Sequence, residues 1–249
     1  MIIVIDIGNT NTHFGVYIGD RLKKHWFLLN SVIKKQNDII LSELKGSSIR
    51  QCVISCVAPS LKDVFNKVIL DNFGFNPFFI ENSFIKIPIH YDNPSELGID
   101  RIVNAVAVIR LYSLPCIVVD FGTTTTFDVV SKDCEFMGGV IAPGIGVSME
   151  TLWTKTEKLP VIGINVPLSV IGKNTADCMR SGIFYSFIGQ VNEIIRQIRK
   201  EYGGRINCIA TGGLSDIIGP HLKCIKQIDP LLILKGLKIL MDERGSNED

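Results

Sequence analysis

Two segments of this 249-residue chain combine an acid, a glycine and hydroxyl side chains at one spacing, Asp-x-Gly-x-Thr-x-Thr. The first is Asp6-Ile-Gly-Asn-Thr-Asn-Thr-His13, and the second is Asp120-Phe-Gly-Thr-Thr-Thr-Thr-Phe-Asp128. Gly8 lets the backbone turn tightly and approach a ligand, while Asn9, Thr10, Asn11 and Thr12 bring hydroxyl, amide and N–H donors suited to phosphate oxygens. Asp6 cannot bind phosphate directly and would hold a cation or its waters. A polar hairpin turn uses the same residue types, so the first loop alone leaves both readings open. Four consecutive threonines at 123–126 are a dense run of hydroxyls for a plain turn and favour phosphate binding. Asp128 lies within a strand and reads equally as a structural acid. A third candidate is Gly98-Ile-Asp-Arg101. Asp100 there is either a first-turn helix acid or a general base for phosphoryl transfer, with Arg101 holding an anion on the acceptor.

These residues need elements to aim them. The uncharged run at 2–5 predicts a buried strand delivering Asp6 to its end. Strands at 12–18 and 25–29 follow around a Gly19-Asp20 turn, then a strand at 51–57. Pro59 opens a helix whose apolar stripe closes at Gly74, and a further helix runs from 99 to 111. Strands at 116–119, 126–130 and 136–141 come next. A helix at 147–154, a long one at 175–202 closed by Gly203-Gly204, a strand at 206–210, a short helix, a strand near 223–228 and a final helix from 230 to 241 complete the pattern. The glycine runs 138–144 and 210–214 each fall between a strand and a helix. The polar tail at 243–249 is expected to fray.

The two loops align without a gap at an offset of 114, matching Val4/Val118, Asp6/Asp120, Gly8/Gly122, Thr10/Thr124, Thr12/Thr126 and Val16/Val130. Their recurrence in the same strand–turn–strand setting predicts a duplication, with halves at 1–113 and 114–249. Each half is α/β, a mixed sheet flanked by helices, and tandem copies would set their turns across a cleft.

Composition narrows the function. Hydrophobic residues are 46% and charged ones 20%, and 26 Lys+Arg against 25 Asp+Glu leave a net charge of +1. No basic surplus suggests a nucleic-acid or membrane partner. The cluster Arg196-Gln-Ile-Arg199-Lys200 reads as a complement to a helix C-terminus. No apolar run reaches membrane-spanning length, and the N-terminus lacks the features of a signal peptide. Seven scattered cysteines without C-x-x-C read as buried, reduced thiols of a cytoplasmic protein, and the four histidines show no zinc spacing. G-x-x-x-x-G-K-[ST] and an early G-x-G-x-x-G are both missing, against a P-loop NTPase and a nicotinamide enzyme.

With these residues in view, nearly the whole chain resembles type III pantothenate kinases, within the acetate and sugar kinase, heat-shock chaperone and actin superfamily. The resemblance rests on DIGNTNTHFGVY, on ELGIDR at 96–101, on DFGTTTTFD at 120–128, on GGVIAPG at 138–144 and on IGKNTADCMRSG at 171–182. Similar proteins have a small residue where this chain has Thr124. The resemblance implies two tandem RNase H-like domains and ATP-dependent phosphorylation of pantothenate to 4′-phosphopantothenate. It implies Mg2+ with ATP, whose phosphates would lie on Asp6, Ile7, Gly8, Asn9, Thr10, Asn11, Thr12, His13 and Thr123. It implies Asp100 as the base, a pantothenate pocket at Tyr91, Gly98, Ile99, Asp100 and Arg101, and a monovalent cation (K+ or NH4+) on Asp120. It further implies a homodimer in which Thr175 reaches pantothenate across the interface. Rival expectations are a sugar kinase, a non-catalytic regulator and an actin- or chaperone-like ATPase of the same superfamily.

Overall fold

A computed structural model describes residues 1–44 and 48–245. In chain order the strands and helices begin with β1 (Ile2–Ile7), β2 (Asn11–Ile18), β3 (Arg21–Leu29), α1 (Asn30–Ile33), β4 (Gln51–Cys56), α2 (Lys62–Phe73), β5 (Phe78–Phe79) and α3 (Ile99–Leu111). They continue with β6 (Cys116–Phe121), β7 (Thr124–Val130), β8 (Phe136–Pro143), α4 (Ile145–Thr154), α5 (Thr175–Tyr202), β9 (Asn207–Thr211), α6 (Ser215–Ile218), β10 (Gln227–Ile228) and α7 (Leu232–Gly245). Pro59 opens a 3-10 turn, Pro59–Leu61, that feeds α2 rather than starting the helix itself.

The chain divides into two compact units, Met1–Tyr112 with the segment from Leu232, and Ser113–Leu231. Both carry a five-stranded mixed sheet of the same plan. In the first the order is β3-β2-β1-β4-β5, and in the second β8-β7-β6-β9-β10. Each central strand pairs antiparallel with the next in sequence and parallel with the fourth. Identical order and senses in two sheets are what a duplicated α/β unit produces.

The register corrects the repeat alignment. Ile7 pairs with Thr12 and Ile5 with Phe14, whereas Phe121 pairs with Thr125 and Val119 with Phe127. The second turn is one residue shorter, so Thr12 corresponds to Thr125, Phe14 to Phe127 and Val16 to Val129. Thr12 and Thr125 are both buried, as are Phe14 and Phe127.

In the first unit, Ile3, Ile5, Ile7 and Phe14 pack with Leu61, Phe65 and Ile69 of the α2 region in one core. The opposite face carries α3 and α7. Residues 101–108 of α3 are buried on every side, as an all-round covered helix requires. Gly236 of α7 lies against Val103, and seven residues further along each helix Arg110 meets Glu243 at 2.6 Å, so the two run side by side in one direction. Sequence symmetry counts α7 with the second half, yet Leu232, Leu234, Leu237 and Leu240 bury themselves in the first unit. Each buried leucine contributes about 1.5–3 kcal/mol, which fixes that placement.

In the second unit, Ile117, Val119, Phe121 and Phe127 form a core with Met149 of α4, Phe184, Phe187, Val191 and Ile195 of α5, and Ile218 of α6. Helix α5 starts where the Asn174 side chain accepts from the Asp177 N–H at 2.9 Å and ends at Gly203, whose φ is +77°. Arg199 and Lys200 occupy its last turn, where they meet the helix C-terminus favourably.

Several sequence expectations shift. Gly138 and Gly139 lie inside β8, so only Gly144 stands between strand and helix. The strand near 223–228 shrinks to Gln227–Ile228. Residues 243–245 complete α7, while 246–249 of the expected frayed tail lie outside the described residues. All seven cysteines are free thiols, but Cys134 and Cys178 are exposed rather than buried. Among the described residues, no helix is long and apolar enough to cross a membrane.

Candidate active site

The first loop gathers its chemistry by strand register. Asp6 on β1 sits opposite His13 on β2 and Ser55 on β4, and His13 sits opposite Phe27 on β3. Paired residues project from one face, so Ser55, Asp6, His13 and Phe27 form a row across the sheet, on the side away from Ile5 and Ile7. Ser55 Oγ donates to Asp6 Oδ1 at 2.7 Å. The His13 and Phe27 rings stack at 5.9 Å, and Phe27 is 62% exposed.

Asp100 reaches the same place from the first turn of α3. Its Oδ1 accepts the Arg101 N–H at 2.9 Å. A methyl group on Gly98 would lie 2.5 Å from that oxygen, so glycine leaves the carboxylate its space. The two acids feel one another. Burial, then the Asp100 charge, pushes Asp6 up to about 7, against the pull of the Ser55 hydroxyl. Burial also raises Asp100, opposed by the Arg101 N–H and the Arg101 charge. His13 is lowered by burial and by nearby His25, which favours its neutral form. Arg101 itself is buried.

The loop tip is held from outside. Gly8 N–H donates to Asn11 O at 3.0 Å. Asn30, the first residue of α1, donates through Nδ2 to Gly8 O at 2.8 Å and Asn9 O at 3.1 Å, and accepts from Thr12 Oγ1 at 2.7 Å. Nothing at 30 stood out in the sequence. Its only local signal is a polar residue directly after an apolar strand. Ile7 and Thr12 are fully buried, and the Thr12 hydroxyl donates to Asn30 Oδ1. Asn9 and Thr10 are exposed at the tip.

In the second hairpin Asp120 lies opposite Thr126 and Thr211. Its carboxylate rests against Gly212, where a methyl group would come within 2.3 Å of Oδ1 and where φ is +87°. Thr123 is exposed in the turn. Asp128 is fully buried and accepts from Thr126 Oγ1 at 3.2 Å. Tyr91 lies in the segment between the 3-10 turns Asn82–Phe84 and Pro94–Glu96, and these turns are tied by Asn82 Nδ2 donating to Pro94 O at 3.0 Å. Thr175 is exposed at the first position of α5.

Phosphate-suited N–H donors beside a pair of carboxylates with raised pKa suit phosphoryl transfer to a hydroxyl. Comparison with known proteins agrees. The family model described as type III pantothenate kinase matches residues 2–197. A type III pantothenate kinase of Moorella thermoacetica is 43% identical, covering 97% of this chain and 99% of that protein. Another, of Koribacter versatilis, is 42% identical over 99% and 97% respectively. Among solved structures, the ethanolamine utilization protein EutJ of Carboxydothermus hydrogenoformans matches with a TM-score of 0.57 at 13% identity, covering 96% of this chain and 89% of that one. That likeness concerns the fold, two tandem RNase H-like units. The chain belongs to the type III pantothenate kinase family.

Proposed function

We propose that this protein transfers the terminal phosphoryl group of ATP to the primary hydroxyl of pantothenate, with Asp100 as the general base. Family membership makes the chain an ATP-dependent kinase, a phosphotransferase with an alcohol acceptor acting in coenzyme A biosynthesis. The observation that carries the residue assignment is the Asp6–Asp100 pair at the loop end of the first sheet.

The step is an in-line displacement. The hydroxyl oxygen bonds to the γ-phosphorus as the bond to the bridging oxygen of ADP breaks, and the hydroxyl proton passes to an Asp100 oxygen. Burial raises the pKa of Asp100, against the pull of the Arg101 N–H and charge, which is the direction that strengthens a carboxylate as a base. The N–H groups at 9–11 and His13 would meet phosphate oxygens in the first unit, Gly8 shaping the turn with its own N–H held by Asn11 O, and Thr123 is assigned to the nucleotide in the second.

A kinase of this family implies a divalent metal with ATP. Asp6 fits that ion, because a cation beside it would relieve both its burial and its repulsion with Asp100. Among the described residues no three His, Cys, Asp or Glu gather around a metal position. Its remaining ligands would be phosphate oxygens and water, as is usual for Mg2+. Asp120, with the Thr126 hydroxyl nearby, offers hard oxygen donors and is assigned a monovalent cation, K+ or NH4+. Tyr91, Gly98, Ile99 and Arg101 are assigned to pantothenate. Thr175 is assigned to pantothenate across a homodimer interface, and the location is assigned to the cytoplasm.

Asp100→Asn tests the central role. It should fold as the parent does and lose roughly two to four orders of magnitude in single-turnover rate. Parent-like turnover would remove Asp100 from the mechanism.

A further inference from the structure

We infer that Asn30 is a positioning residue that sets the first loop in its anion-receiving shape before the nucleotide arrives. The inference rests on the reading of that loop as the phosphate site.

Its basis is the direction in which each peptide unit faces. Asn30 Nδ2 donates to Gly8 O at 2.8 Å and to Asn9 O at 3.1 Å. The Asn30 backbone N–H donates to Thr10 O at 2.8 Å. Three successive carbonyls are thereby turned toward one residue. In a trans peptide the carbonyl and the following N–H point in opposite directions, so the N–H groups of Asn9, Thr10 and Asn11 are turned away from Asn30. Successive N–H groups presented together make a concavity for an anion. The Gly8 and Asn9 carbonyls, which can only accept, fix Nδ2 as the end of the amide that faces them, and Oδ1 accepts from the Thr12 hydroxyl at 2.7 Å. Asn30 is 5% exposed, so packing rather than solvent holds this arrangement.

The second hairpin lacks the device. Thr12 pairs with Leu28 as Thr125 pairs with Ala142, which makes Gly144 the counterpart of Asn30. A Cβ at Gly144 would lie 2.2 Å from Thr123 O and 2.7 Å from Gly122 O, so no side chain fits between. Correspondingly, the buried Thr125 hydroxyl meets no hydrogen-bond partner where that of Thr12 meets Asn30. The amide clamp therefore belongs to the loop carrying Asn9 and Thr10, and is no general requirement of the hairpin.

Asn30→Asp keeps the shape but replaces the donor with an acceptor, and Asn30→Ala removes it. In both, the ATP Kd by calorimetry should rise about tenfold or more, as expected when a buried carbonyl pair loses its donor. The KM for pantothenate should stay within about twofold, a split that general loss of structure would not give. In the wild type, nitrogen-15 spectra should show the Asn9 and Thr10 N–H signals shifting with ATP while the Asn30 side-chain amide signals stay in place. Unresponsive Asn9 and Thr10 would refute the phosphate-site reading itself. Responsive signals together with a folded Asn30→Asp that binds ATP within about twofold of wild type would overturn the positioning role alone. If the variants do not fold, the wild-type spectrum decides: Asn30 amide signals that move with the loop would overturn a preset shape.

Discussion

Asp6 is an acid whose charge state the fold shifts strongly. Its pKa stands near 7 against an ordinary 3.8, first through burial and then through Asp100. The folded chain therefore holds this proton more strongly than the unfolded chain does. The stability it confers is fully present below pH 3.8 and is lost as pH rises through about 7. Without divalent cation, the urea midpoint should fall between pH 5 and pH 8. Asp6→Asn should flatten that fall and be the more stable protein at the alkaline end; an unchanged slope would contradict the assignment. Much at this scale was legible in the sequence. Asp6, Asp100 and Asp120 stand out because an acid after an apolar run, or at a helix start, is conspicuous. Asn30 was hidden, because its partners lie some twenty residues upstream and only strand pairing brings them together.

Among the elements, the long and strongly patterned ones were readable, and α2, α3 and α5 lie close to their expected bounds. The four residues of α1 and the two of β5 were not, since segments so short owe their structure to packing rather than propensity. The shortened second turn escaped for a different reason. Residues 123–126 are all threonine and 129–130 both valine, so a slip of one leaves the identities with Thr12 and Val16 intact. Helix α7 escaped because a sequence repeat does not say which sheet a terminal helix covers. Its packing predicts a cost: Leu234, 1% exposed and beside Gly15, should lose about 2–5 kcal/mol of stability when changed to Ala, read by urea denaturation of the full chain. A loss under about 0.5 kcal/mol, typical of a surface site, would contradict the placement of α7 on the first sheet.

At the scale of the molecule, two sheets of one plan carry different side chains at their loop ends. The first carries the paired acids Asp6 and Asp100 and the Asn30-held loop, and the second carries Asp120 against Gly212. Family and fold were both legible from motif order, because five motifs in sequence constrain a chain more than any one loop. If Asp120 serves a monovalent cation, replacing potassium with sodium should lower kcat while Asp120→Asn becomes indifferent to the exchange. Equal rates in both salts for the wild type would remove that role. The most direct test of the account is an acceptor comparison, in which the protein is given ATP, magnesium and either pantothenate or a panel of sugars, with products identified by mass spectrometry. The account predicts 4′-phosphopantothenate as the preferred product, and preferential phosphorylation of a sugar, or ATP hydrolysis without an acceptor, would contradict it.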